Sequence, residues 1–143
     1  MALVSQSSDP EFVRVEIAAS GVLVAARVQI AGTSALRRKG LLAHTSLGPD
    51  EGLWIVPCES VHTIGMKFPI DLIYLDAKFR VRKLCRNVPA WRFSICISAH
   101  SILELAAGTI DRTRVAVGDH LELLRFSIPS PLTGAPTAEV HHA

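Results

Sequence analysis

The chain has 143 residues, of which 49% are hydrophobic and 20% charged, a composition that suits one domain whose core needs neither disulfides nor metals. The formal net charge of +2 is too mild to indicate a nucleic-acid partner. Three cysteines, an odd number, do not indicate a disulfide framework, and no apolar stretch is long enough to span a membrane. We therefore expect a cytoplasmic protein without a membrane span.

The elements predicted along the chain are mostly short strands, indicated by alternating apolar and polar residues or by short apolar runs between turns. In chain order, these strands cover residues 12–17, 22–30, 53–56, 68–75, 79–84, 102–106 and 121–126. The strand over 68–75 is the strongest, because it is apolar on both faces except at Asp71. Asp76-Ala77-Lys78 then turns the chain, which predicts a hairpin with the following strand.

Helical structure is predicted at two places. Thr33 or Ser34 can cap one short helix, in which Leu36 and Gly40 line one face. A glycine within a helix costs up to about 1 kcal/mol relative to alanine, and we expect close approach of another backbone to be the reason for Gly40. A short helical turn begins at Gly108-Thr109.

Together these elements predict a mainly β fold, a compact β-sandwich or barrel-like single domain over residues 12–126 with one short helix and a helical turn. Residues 1–11 have no signal segment, and we expect them to form a mobile leader. Residues 127–143 are rich in Pro, Thr and Ala, and we expect a disordered tail. Residues 88–97 are predicted to be an irregular loop.

Seven motifs follow one another at a spacing typical of one family. They are Arg38-x-Gly40-Leu41-Leu42, Ser46-Leu47, Glu51-Gly52-Leu53-Trp54, Val61-His62-Thr63-x-Gly65-Met66-x-Phe68-Pro69-Ile70-Asp71, Asn87-Val88-Pro89-x-Trp91-Arg92, Leu103-Glu104-Leu105-x-Ala107-Gly108-Thr109 and Val117-Gly118-Asp119. Over about residues 23–124 the chain thereby resembles the DUF192 family of small bacterial and archaeal proteins. The resemblance implies a compact, mainly β sandwich with one short helix, and it implies no established activity or catalytic residues. His44 and His100 depart from the family pattern.

Asp71 gives the sharpest signal for a site. Because both faces of its strand are apolar, an isolated carboxylate there would be costly and must be paired, hydrogen-bonded or protonated. Asp71 is either a structural acid held by loop amides or by Arg92, or a group that orients a ligand or acts as a general base. His62, in the loop before this strand, could partner Asp71 in acid–base chemistry or could simply hold its loop.

Glu104 presents the same question, since it lies between Leu103 and Leu105 in an apolar strand. Its simplest role is to pair with Arg92 or Arg112, or to bond to the turn at residues 108–109. A buried carboxylate in either strand could therefore be structural.

The cysteines and histidines leave several interpretations open. The pairs Cys58–His62 and Cys96–His100 share the spacing Cys-x-x-x-His and could form a tetrahedral zinc site. That spacing is unusual for zinc, and four residues of extended strand span about 13 Å, so the chain would have to fold back. A disulfide between Cys58 and Cys96, a Cys58 nucleophile with His62, and buried free thiols are the alternatives, of which free thiols are favoured. No cofactor is expected.

Two surface features could recognise a partner. Lys78, Arg80 and Arg82 line one face of a strand, either as a solvated edge or as a patch for phosphate or an anionic polymer. The aromatic interleaving typical of single-stranded nucleic-acid binding is missing there. Trp91-Arg92-Phe93 could form a recognition surface or a lid over the open end of the sandwich.

The favoured hypothesis is a non-catalytic module that binds a small polar ligand, carbohydrate-like or zwitterionic, or a protein partner. The pocket is expected where loops 57–67 and 88–97 converge, lined by His62, Met66, Lys67, Asp71, Trp91 and Arg92. One alternative is a small hydrolase that uses His62 with Asp71, or Cys58. The other is a scaffold in which the motif residues only hold the loops. The sequence gives no indication of the oligomeric state.

Overall fold

The computed structural model describes residues 9–128, which form nine strands and two short helices. The strands are β1 (Glu11–Ile17), β2 (Leu23–Ala31), β3 (Glu51–Ile55), β4 (Ser60–His62), β5 (Ile70–Leu75), β6 (Val81–Val88), β7 (Phe93–Ile95), β8 (Ser101–Ala106) and β9 (Leu121–Ser127). The helices are α1 (Ser34–Lys39) and α2 (Thr109–Thr113). Most of the expected leader and tail, residues 1–8 and 129–143, lies outside the described residues.

Seven of these strands form one sheet in the order β6-β5-β8-β3-β2-β1-β9, and β4 pairs with β7 in a second sheet. Neighbours are antiparallel except β2 and β3, whose parallel pairing requires the crossover that contains α1. At one end the two edges of the large sheet meet, where the backbones of Arg80 and His120 form an isolated antiparallel β-bridge. The predicted mainly β, sandwich-like fold is confirmed, and the large sheet is curled without being closed.

The core occupies both faces of the central strands. On β5, Ile73 and Leu75 belong to a cluster shared with β1, β2, β9 and α2, whereas Leu72 and Tyr74 belong to a second cluster. Val61 of β4 is part of that second cluster, which places the small sheet over it. Strands β5 and β8 are therefore buried on both faces, which explains the unbroken apolar pattern of β5.

The helix predicted after β2 is confirmed, and Thr33 caps it by accepting the backbone N–H of Leu36 at 3.2 Å. The explanation offered for Gly40 is wrong. A Cβ placed there would have the Arg37 carbonyl oxygen as its nearest neighbour, at 3.9 Å, so among residues 9–128 no other backbone lies where a side chain would go. Gly40 instead ends the helix with φ 48°, a conformation that side chains disfavour.

Two short strands were not predicted. Residues 60–62 and 93–95 were assigned to loops, yet they pair as β4 and β7. Strand β6 also continues to Val88. Three residues are too few to show an alternating pattern, so these strands depend on the tertiary contacts that hold them against the second cluster. Within residues 9–128, the helices are too short to cross a membrane.

Candidate functional site

An open cavity of about 590 Å³ lies between α1 and the segment that leads into β4. Its apolar wall includes Leu41, Leu42, Ile55, Val61 and Met66. Its polar lining includes Arg37, Arg38, Lys39, Cys58, Ser60, His62 and Glu104. No Phe, Trp or Tyr of the described residues lines it. The cavity therefore combines a carbon-rich wall with charges of both signs.

Glu104 lies on the sheet side of this cavity. In β8 it is flanked by Leu53 of β3 and Leu72 of β5, both of which are buried, and it is itself only 6% exposed. Among residues 9–128 its side chain has no hydrogen-bond or ion-pair partner. Burial raises the pKa of Glu104 to about 7, because the charged form has lost its hydration. An unpaired acceptor therefore lines the cavity.

Helix α1 brings positive charge to the same cavity. The Arg37 guanidinium is held in place, since Nη1 donates to the Gly32 carbonyl at 2.8 Å and Nη2 to the Ser34 hydroxyl at 3.2 Å. Arg38 Nε donates to the Ser34 carbonyl at 3.2 Å, and Lys39 follows it. All three cations lie in the last turn of α1, where the helix dipole also favours positive charge.

Cys58 and His62 line this cavity as well, but the thiol is not activated. Cys58 Sγ donates to the Ser60 carbonyl at 3.0 Å. Burial raises the pKa of the Cys58 thiol, and the charge of Glu104 raises it further. Since the thiolate is the nucleophile, a raised pKa lowers the reactivity of Cys58.

Asp71 lies elsewhere. It is fully buried, its Oδ1 accepts the backbone N–H of Asn87 at 2.8 Å, and its Oδ2 accepts that of Ile110 at 2.8 Å. On β5 it shares a face with Ile73, which belongs to the first cluster, whereas His62 lies in the small sheet over the second. The large sheet separates the two residues, so the structure does not bring His62 and Asp71 together.

The two predicted loops do converge, but on Thr63. This residue is 1% exposed, and its hydroxyl donates to the Pro89 carbonyl at 2.7 Å and accepts the Arg92 N–H at 2.8 Å. Its carbonyl also accepts the Trp91 N–H at 3.1 Å. Of the residues predicted to bind a ligand, His62 and Met66 line the cavity, whereas Lys67, Asp71, Trp91 and Arg92 do not.

The two Cys-x-x-x-His pairs do not form a metal cluster. Within residues 9–128, no three His, Cys, Asp or Glu side chains are grouped so that they could hold an ion. Cys58, Cys85 and Cys96 are free thiols, each partly buried. Cys58 and His100 instead line a smaller cavity of about 350 Å³ with Glu59 and Ala99.

Sequence reasoning missed Glu104 and α1 as parts of one site. The partners expected for Glu104 were Arg92, Arg112 and the turn at residues 108–109, whereas Arg112 instead donates to the Val24 carbonyl at 3.0 Å. The available signal was a second acid in an apolar strand. The sequence could not indicate that the crossover containing α1 would leave a cavity in front of it.

The model of the DUF192 family, described as "Uncharacterized ACR", matches residues 14–123. A proposed transcription regulator from Sinorhizobium meliloti 1021 has a similar crystal structure, with 25% identity and a TM-score of 0.70 over 80% of this chain and 93% of that one. A protein of unknown function from Novosphingobium aromaticivorans DSM 12444 has 23% identity and a TM-score of 0.63 over 79% of this chain and 83% of that one. No curated protein matches the chain.

Proposed function

The chain belongs to the DUF192 family, which is uncharacterised, and from the geometry of its cavity we propose that it is a module that binds a small zwitterionic molecule. One observation carries the proposal: Glu104 is 6% exposed, lines a cavity of about 590 Å³, and has no partner among residues 9–128. An unpaired buried carboxylate is costly, and a donor or cation from a ligand offsets that cost.

The positions of the charges suggest how such a ligand is bound. An ammonium group pairs with Glu104, while a carboxylate or phosphate of the same molecule faces Arg38 and Lys39 at the helix. The apolar wall, which includes Leu41 and Val61, contacts the carbon skeleton between them.

A carbohydrate has less support than a zwitterion. Sugars commonly stack on aromatic rings, and Trp91 was the ring expected to serve here. Trp91 is 71% exposed and lies outside the cavity, and within residues 9–128 no Phe, Trp or Tyr lines it. Of the small polar ligands considered, we therefore favour one that carries both a positive and a negative charge.

Two observations favour binding over hydrolysis. The proposed acid–base pair of His62 and Asp71 is divided by the sheet, and Asp71 already accepts two amide hydrogen bonds. The alternative nucleophile, Cys58, has a raised pKa, and its thiol donates a hydrogen bond to the Ser60 carbonyl. The hypothesis of a structural role remains supported for Asp71 and Thr63, because their hydrogen bonds connect separate segments of the chain. A structural role for these two residues is compatible with ligand binding in the cavity.

A thermal-shift screen tests the proposal with amino acids, primary amines, carboxylates and neutral sugars as probes. We expect amino acids to raise the melting temperature with concentration in the wild type. The shift is expected to vanish in Glu104→Gln and to shrink in Arg38→Gln. Glu122→Gln, which changes an exposed carboxylate on β9, serves as the matched control and is expected to keep the shift. Equal shifts in Glu104→Gln and the wild type would show that this cavity is not the site.

A further inference from the structure

Four large apolar side chains are exposed on strand β7 of the small sheet and in the loops at its two ends. Trp91, Phe93, Ile95 and Ile97, here called the outer stripe, are 71%, 72%, 47% and 83% exposed. Between them, Ser94 accepts the Tyr74 hydroxyl at 2.8 Å and therefore faces the large sheet. Alternation along β7 then turns Phe93 and Ile95 outward. Large apolar side chains that are exposed close together along the chain in this way mark an interaction surface.

Trp91 is held in its exposed position by the loop. Its φ of 64° is a backbone conformation that bulky residues rarely adopt. Thr63 holds this backbone, because it donates to the Pro89 carbonyl and accepts the N–H groups of Trp91 and Arg92. A strained backbone that several hydrogen bonds maintain is typical of functional surfaces, so the loop presents the indole rather than leaving it free to fold back.

The sequence segment that contains the outer stripe is basic, although the exposed Glu59 lies beside it and accepts the Cys96 N–H through its carbonyl at 2.9 Å. From Ala77 to Leu103 the sequence has six Lys and Arg residues and neither Asp nor Glu. Lys83 Nζ donates to the Ile95 carbonyl at 2.9 Å, and Arg92 lies between the two aromatic residues of the stripe. Arg82 and Arg86 are paired with Asp76 and Asp111 at the surface. Lys83 and Arg92 therefore provide positive charge beside the apolar surface.

We propose that the outer stripe docks onto the surface of an anionic lipid bilayer. Tryptophan prefers the headgroup region, isoleucine and phenylalanine enter the acyl boundary, and Lys and Arg beside them attract anionic headgroups. Single-stranded nucleic acid is the other anionic partner, but it would need aromatic stacking, which Ile95 and Ile97 cannot supply. The proposal does not depend on a ligand in the Glu104 cavity.

Vesicle binding by the full chain tests the proposal, with phosphatidylcholine vesicles compared with vesicles of phosphatidylcholine and phosphatidylglycerol in equal parts. We expect cosedimentation with the anionic vesicles alone, and a loss of binding at high salt. Trp54 is buried and Trp91 exposed, so a blue shift of tryptophan emission on binding reports Trp91. Equal binding to both kinds of vesicle, or to neither, would overturn the proposal.

Matched variants locate the surface. Phe93→Ser and Ile97→Ser are expected to abolish vesicle binding, whereas Leu124→Ser, at a side chain 50% exposed on β9, is expected to leave it unchanged. Arg92→Gln is expected to weaken binding about fivefold. If all three serine variants bind alike, or if Phe93→Ser instead abolishes binding of a single-stranded oligonucleotide or dimerisation, the bilayer is not the partner of this surface.

Discussion

The carboxylate of Asp71 accepts the backbone N–H of Ile110 at 2.8 Å, which joins the start of β5 to the first turn of α2. The other carboxylate oxygen accepts the N–H of Asn87 in β6, also at 2.8 Å. Asn87 has φ 48°, so Asp71 also supports a residue in an unfavourable conformation. The buried side chain of Asp71 therefore connects β5, β6 and α2. The acid that is most prominent in the sequence has a structural role.

Asp71→Asn is expected to destabilise the protein by about 2–4 kcal/mol. The amide keeps one acceptor oxygen and places an N–H donor against one of the two backbone donors, which loses a hydrogen bond to a charged group. Urea unfolding measures the loss. Asp111→Asn is the control, because that carboxylate is exposed and its ion pair with Arg86 contributes at most about 1 kcal/mol. Equal losses in the two variants would contradict the structural role of Asp71.

Gly52→Ala is expected to cost more than about 2 kcal/mol in unfolding free energy. A Cβ at Gly52 would lie 2.7 Å from the carbonyl oxygen of Glu104 and 2.6 Å from a methyl group of Leu105. The side chain of Leu105 can move, but the carbonyl can retreat only if β3 and β8 separate. Gly32→Ala, where the nearest atom is 4.0 Å away, is the control and should unfold within about 0.5 kcal/mol of the wild type. A similar midpoint for both alanine variants would show that β8 is free to shift.

Alkylation of Cys58 tests whether the cavity contains a reactive thiol. Burial raises the pKa of Cys58 above its ordinary value of 9.0, so little thiolate is present at neutral pH. Iodoacetamide should therefore modify Cys58 slowly, at a rate that keeps rising through pH 9, as followed by mass spectrometry of the peptide. A rate that levels off near pH 7 would indicate an activated thiolate and would support the hypothesis of an enzyme that uses Cys58.

The sequence predicted the strands of the large sheet because each of them has an alternating pattern or an apolar run of its own. The strands at residues 12–17 and 102–106 were recognisable from local alternation or apolar runs, and their positions agree with β1 and β8. Strands β4 and β7 have three residues each, and nothing local distinguishes them from loops. They form because their packing buries apolar side chains of the second cluster, and that cluster exists only once the large sheet is assembled.

The two buried acids show where sequence reasoning about the site ends. Asp71 and Glu104 give the same signal, a carboxylate within an apolar strand. Asp71 faces the side of the sheet where the N–H groups of Asn87 and Ile110 satisfy it, whereas Glu104 faces the cavity beside α1. Whether each acid finds a partner depends on the distant segments that pack on its face of the sheet. These are β6 and α2 beside Asp71, and the crossover that contains α1 beside Glu104.

Glu104→Gln is expected to change the dependence of stability on pH. The pKa of Glu104 is about 7 in the folded protein against an ordinary 4.5, so between these values the unfolded chain releases the proton that the folded chain retains. Stability therefore falls as pH rises from 4.5 to 7, by roughly 3 kcal/mol from this group. Glu104→Gln should lack this fall and be more stable than the wild type at pH 8. Glu122→Gln should show the same dependence of stability on pH as the wild type. If stability falls equally with pH in all three proteins, the fall arises from groups other than Glu104.

Glu104 is a buried carboxylate that has no partner within the described part of the chain, and on our proposal it receives a ligand in the cavity. Carbon-13 NMR of the glutamate carboxyl groups tests it most directly, with the Glu104 signal assigned by its absence from Glu104→Gln. We predict a titration midpoint of about 7 in the ligand-free protein, because burial disfavours the charged form. A midpoint near 4.5 would mean that the carboxylate is hydrated or paired, and it would contradict the proposed recognition of a ligand by Glu104.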